Sequence, residues 1–231
     1  MYISPMITVT SIIFLLIGMI VSWRLKSKMK QYGQVPTSSG LSGREIAQKM
    51  LRDNGITDVK VVMTEGFLSD HFDPRSKTVA LSPAIYEGRD VAAAAVAAHE
   101  CGHAVQYATA YPWIGFRSTM VPAVQFASNI VPWVLMGGVL LLNAFPALLL
   151  GGIILFGITT LFSVITLPVE FDASRRGLAW LNSANITRPQ EHKQAQDALK
   201  WAAMTYVIAA LSSVVILVQY IMIYAGGRSR D

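Results

Sequence analysis

From Thr119 to Pro168 the chain runs for fifty residues without one Asp, Glu, Lys, Arg or His. About 17–25 apolar residues suffice to cross a bilayer. Fifty is too long for one span and suits two, with Asn143-Ala-Phe-Pro146 supplying the turn between them. Spans are therefore expected at 119–142 and 147–168. Two further uncharged stretches, 6–23 and 202–224, are long enough to cross, making four. Composition agrees: 53% of residues are hydrophobic and 14% charged, against about 25% charged in ordinary soluble domains. The predicted class is a mainly α integral membrane protein of four transmembrane helices with a small α+β domain.

Charge orients the spans. The first is followed by Arg24, Lys26, Lys28 and Lys30, and no small-residue cleavage site closes it, so it reads as an uncleaved anchor rather than a signal peptide. Of 19 Lys and Arg, 12 fall in 24–118 and 5 in 169–200. The positive-inside rule then puts both polar segments in the cytoplasm and both termini outside, with Arg228 and Arg230 a minor misfit in the tail. The basic balance of +5 needs no nucleic acid. The expected organisation is an anchor (1–23), a cytoplasmic domain (24–118), a transmembrane hairpin (119–168), a second cytoplasmic segment (169–201), a last span (202–225) and a tail (226–231). Pro122, Pro132 and Pro168 are expected at span starts or kinks.

Within 24–118, residues 33–43 read as a linker. Ser42-x-x-Glu45 is a capping box opening a helix that ends at Asn54-Gly55. Val59–Met63 and Lys77–Leu81 are β-branched runs, in a count of two or three strands. Between them FLSDHFDPRS reads as a turn at Asp73-Pro74. Ser82-Pro83 starts a short helix, and Asp90 caps the next, running to about Thr109. A further helix start is read at Thr187-x-x-Gln190.

That helix carries Ala97-Ala-His99-Glu100-Cys101-Gly102-His103-Ala-Val-Gln106. Residues i and i+4 share a helix face, so His99 and His103 can point at one ion. This is H-E-x-x-H, a metalloprotease signature when it lies on a helix. Glu100 flanks the site as the general base that takes a proton from the attacking water. Two histidines and a carboxylate are costly to bury in an Ala/Val helix without a partner. Gly102 leaves room for close backbone packing. Cys101 reads as a small buried residue, and His192, on a solvated face, has no assigned role.

A zinc site takes three protein ligands and keeps one position open. The expected third ligand is Glu170, just past the second hairpin span. Two spans separate it from His103, an even number, so both lie on one side. The competing reading pairs Glu170 with Arg175 or Arg176. His71 is the rival third ligand or an oxyanion stabiliser. Asp172 and Asp73 are candidates to hold a ligand histidine; alternatively Asp172 is a salt-bridged charge and Asp73 a turn residue.

SDHFDP, VALSPAIYEGRDVAAAAVAAHECGHAVQ and LPVEFDASRRGLAWL together resemble the bacterial YugP-type membrane zinc metallopeptidases, from about residue 30 to the C-terminus. The resemblance implies a neutral zinc protease of the bacterial inner membrane, one Zn2+ per chain, a zincin-like domain, His99 and His103 as ligands and Glu100 as base. Its layout is similar to the gluzincins, whose glutamate ligand on a later helix carries onto Glu170. Many gluzincins place an aspartate four residues after that glutamate; here Ser174 stands there and Asp172 lies at plus two. Related folds bind substrate as an added strand on an edge strand before the active helix, a role that would fall to Lys77–Leu81.

The expected activity is endopeptidase cleavage of unfolded or membrane-proximal polypeptide at the cytoplasmic membrane face. A zinc-stabilised scaffold or adaptor without turnover is the alternative, although it would have no use for Glu100. A transporter ranks last, because the spans hold no ionisable residue.

Overall fold

The computed structural model describes residues 5–66 and 69–228. Phe67 and Leu68 of the expected turn, and Arg230 of the tail, lie outside the described residues. The element order is α1 (Pro5–Tyr32), α2 (Gly43–Asp53), β1 (Lys60–Met63), β2 (His71–Asp73), β3 (Thr78–Leu81), α3 (Pro83–Glu87), α4 (Val91–Ala108), α5 (Pro112–Leu140), α6 (Pro146–Ser183) and α7 (Pro189–Arg228). Four of them, α1, α5, α6 and α7, are long and apolar enough to cross a membrane. Pro122, Pro132 and Pro168 all lie inside helices, and Pro168 does not end α6.

The described residues form two compact units. One comprises residues 5–20, 116–167 and 205–228. Its buried cluster joins Ala127, Val131 and Leu135 of α5 to Leu149 and Ile153 of α6. Small residues set that approach: a Cβ at Gly138 would lie 2.6 Å from the Leu149 Cα, the close backbone contact that favours glycine between membrane helices. Gln219 Nε2 donates to Thr10 Oγ1 at 2.8 Å, tying α7 to α1. Large apolar side chains such as Leu15, Phe126 and Trp133 face outward, as lipid-facing positions do.

The other unit comprises residues 21–115 and 168–204. Its core gathers Ile46 and Met50 of α2, Val79 and Leu81 of β3, Leu181 of α6 and the alanines of α4. The local signals act as expected. Ser42 and Glu45 form the capping box of α2, Gly55 takes φ +71° after it, and Asp90 accepts from Ala93 N at 2.9 Å to cap α4. The segment after α1 is pinned rather than loose: Thr37 N donates to Arg89 O, and Ser38 is held by Glu191.

The sheet order is β1-β3-β2, with β1 parallel and β2 antiparallel to β3. This corrects the expectation for Lys77–Leu81: β3 is the central strand and both its edges are occupied, so it cannot accept a substrate strand. Its burial explains the position, since Val79, Ala80 and Leu81 are all buried. A strand covered on both faces reads as a continuous apolar run rather than an alternation. The edge strands are β1 and β2, and of the two it is β2 that packs against α4.

Candidate metal centre

Two glycines bring α4 and α6 into backbone contact. A Cβ at Gly102 would sit 2.4 Å from Ala173 O, and one at Gly177 would sit 2.8 Å from Ala98 O. Neither distance is tolerable for a real side chain, so each helix supplies a glycine where the other presses on it. The crossing sets Glu170, about one turn before Ala173, over the histidines of α4. Glu170 Oε2 lies 3.2 Å from His99 Nε2 and 3.7 Å from His103 Nε2. His103 and Glu170 are buried and His99 is nearly so. Glu170 therefore meets the histidines, while Arg175 and Arg176 pair with Asp172 instead.

The hydrogen bonds behind the histidines decide what the cluster can hold. Gln106, fully buried one turn after His103, donates from Nε2 to Val169 O (2.8 Å) and to Asp172 Oδ2 (3.0 Å). With its amide nitrogen committed to two acceptors, its Oε1 must accept from His103 Nδ1, 3.0 Å away. That leaves the Nε2 lone pair of His103 turned toward the Glu170 carboxylate. A lone pair facing a carboxylate in a buried pocket is repulsive unless a cation or proton lies between them. His99 Nδ1 meets Ser174 Oγ at 3.0 Å, so its Nε2 faces the same point. The donor set, two imidazole nitrogens and one carboxylate oxygen within 4.8 Å of one another, fits the ligands of an open zinc site.

Glu100 is buried beside the cluster. Burial pushes its carboxyl up to about 7, with Glu170 and Asp70 acting the same way and His99 opposing. His71 is exposed on β2, its Nδ1 2.8 Å from Ser69 O. It is near enough to Glu100 to act on it electrostatically, yet among the described residues the ligand cluster is His99, His103 and Glu170. Asp73 accepts from Arg75 N at 2.9 Å and Ser76 Oγ at 2.6 Å, which are the contacts of a turn residue. Asp172 touches neither histidine; it reaches His103 only through Gln106. Cys101 is fully buried and directs its thiol to Ala47 O.

Sequence reasoning missed Gln106 and the contact of Ser174. A signal for Gln106 was present: a polar side chain three residues after His103, on the same face of an otherwise apolar helix. Ser174 occupies the position four residues after Glu170, where it reaches the other histidine.

This chain belongs to the zinc metallopeptidase family described as "Putative neutral zinc metallopeptidase", whose pattern it matches over residues 7–225. Its similarity extends to a named relative, "Putative membrane protease YugP" of Bacillus subtilis (strain 168), at 41% identity over 212 residues, 90% of this chain and 92% of that protein. No solved structure matches the chain.

Proposed function

We propose that the protein is a membrane-embedded zinc endopeptidase that holds one Zn2+ through His99 Nε2, His103 Nε2 and Glu170. Membership of the zinc metallopeptidase family supports this, and one structural observation carries it: the Nε2 lone pair of buried His103 and the buried Glu170 carboxylate face each other where a cation or proton must sit, with His99 Nε2 within reach of the same point and a second buried carboxylate alongside.

A bound zinc ion would polarise the scissile carbonyl and acidify water at neutral pH. Glu100 takes the proton from the attacking water and delivers it to the leaving amine. Burial favours this by keeping the carboxyl's affinity for a proton high enough to serve both transfers. Gln106 and Ser174 orient the two imidazoles through their Nδ1 atoms. His71 stands on the open side, within electrostatic reach of Glu100, as a group to stabilise developing negative charge on the substrate.

Substrate is extended polypeptide. It would add to the sheet along β2, the edge strand that packs against α4 and carries His71. We place the chain in the bacterial inner membrane, with its site on the cytoplasmic side and both termini outside, because 17 of 19 basic residues fall in the two polar segments.

The test is elemental analysis of detergent-purified protein together with hydrolysis of an unfolded polypeptide. Wild type holds about one zinc per chain and cleaves. Glu170→Ala loses the zinc; Glu100→Gln keeps it and loses cleavage. Cleavage surviving in Glu100→Gln would overturn the mechanism. Zinc bound by a wild type that turns nothing over would favour the scaffold reading.

A further inference from the structure

A groove of about 750 Å³ runs between α6 and α7, and Ser174, the contact of His99, is part of its wall. Nearest the uncharged stretches it is apolar, with Phe171 and Met204; farther along it is cationic, with Arg175, Lys200 and Lys193, and Leu178 lies beyond Arg175. The order of these residues is the same on both helices. On α7 the chain is uncharged from Trp201 to Gly227, and Lys200 is the first charge beyond that stretch. On α6 the uncharged stretch ends at Val169, and Phe171 precedes Arg175. At 1.5 Å per residue, Lys200 stands about 6 Å along its axis from Met204, and Arg175 about 6 Å from Phe171. The polar layer of a bilayer is about 5–8 Å deep on each side, so both cations stand at headgroup level.

The charge balance leaves a surplus. Arg175 shares the single carboxylate of Asp172 with Arg176. Asp197, the acidic member of the groove wall, is already engaged by Lys28 Nζ at 2.9 Å and Tyr32 Oη at 2.6 Å. Lys193 and Lys200 are exposed, and the carboxylate that Lys200 acts on electrostatically is Asp197, already paired with Lys28. Phe171 is half exposed although it directly follows a buried residue. A ligand for this surface must be anionic at one end and hydrocarbon at the other, in the same direction as the helices themselves.

We propose that the groove binds one anionic phospholipid, with its phosphate on Arg175 and Lys200, Lys193 adding positive charge farther along α7, and its upper acyl chains on Phe171 and Met204. Clustered basic side chains at the end of a membrane span are suited to such headgroups. The proposal does not depend on peptidase activity.

The experiment uses delipidated, zinc-loaded, full-length protein in a neutral detergent. Phosphatidylglycerol, phosphatidylcholine or inorganic phosphate is added, bound lipid is counted by native mass spectrometry, and the melting temperature is followed. Phosphatidylglycerol is expected to be retained at one per chain and to raise the melting temperature, whereas phosphatidylcholine is not. Each lysine contributes about fivefold in affinity, so Lys193→Gln/Lys200→Gln should weaken retention by roughly tenfold or more. Its melting temperature without lipid should match wild type; should the double variant fail to fold, Lys200→Gln alone carries the same test at about fivefold. Lys60→Gln, on β1, should change nothing. Equal retention of the two lipids would overturn the proposal, as would binding of inorganic phosphate in place of lipid. So would unchanged affinity in the lysine variants, or equal weakening in Lys60→Gln.

Discussion

Gly102→Ala should disable the metal centre without touching a ligand. The added Cβ would lie 2.4 Å from Ala173 O, 3.0 Å from its carbonyl carbon and 3.1 Å from its Cα, where ordinary contact begins at 3.4 Å. The opposing atom is backbone, so no side chain can swing away. Relief requires α6 to retreat from α4 by about 1 Å. Glu170 is three residues from Ala173 on that helix and retreats with it. Metal–ligand distances tolerate only about 0.2 Å, so Glu170 leaves bonding distance. Overpacking of this kind costs about 1–3 kcal/mol, which a protein of this size can absorb. The expected outcome is a variant that inserts and folds, by circular dichroism in detergent, but binds zinc at least ~100-fold more weakly in competition with a chromophoric chelator, a loss beyond the 10–100-fold typical of outer-shell changes. Gly157→Ala is the control: it lies on α6 with nothing within 4 Å, and zinc binding should be unchanged. Wild-type zinc affinity in Gly102→Ala would refute the argument that the glycine contact is what places Glu170.

Gln106→Ala removes the acceptor of His103 Nδ1 and should weaken zinc about 10–100-fold while leaving the fold intact; an unchanged affinity would show that His103 is oriented by packing alone. Burial raises the Asp90 carboxyl above its ordinary value, against the N–H groups of Ala93 and Ala92. Its contribution to stability is therefore complete at low pH and declines as pH rises through the folded value. Asp90→Asn, which keeps an acceptor for Ala93, should match or exceed wild type in thermal melts at pH 7 and show a smaller decline, whereas Asp90→Ala should cost about 1 kcal/mol; equal losses in both would argue against it. Phenanthroline should stop hydrolysis and lower the melting temperature. Restoring zinc to 1,000 times its Kd should return about 4 kcal/mol of stability, a gain that Glu170→Ala should not show.

The parts of the site set by local geometry were legible in the sequence. His99 and His103 follow from helical spacing, and the caps at Ser42 and Asp90 from residue type. Counting spans permits Glu170 as the partner of both histidines, and the structure brings it beside them. Whatever depends on how two elements meet was not legible. The Gln106–Asp172 and His99–Ser174 contacts exist only because Gly102 and Gly177 let α4 and α6 touch, and no periodicity encodes a crossing. The edge role that the resemblance implied for Lys77–Leu81 fails because that run is the central strand, and its unbroken apolar run is the mark of one. Of the two expectations for Pro168, a span boundary or a kink, the boundary is excluded because α6 continues through it.

The partners behind the two histidines are an amide and a hydroxyl, and both are neutral. Among the described residues, the carboxylate in that layer is Asp172, which is neutralised by two arginines and separated from His103 by Gln106. The relay therefore works as an electrical insulator: it fixes the direction of the ring without lending it negative charge. A dication, if held there by two neutral imidazoles and the single anion of Glu170, would retain one net positive charge, undiluted from behind. Its pull would fall on the other side of the pocket, where Glu100 is the carboxyl placed to feel it.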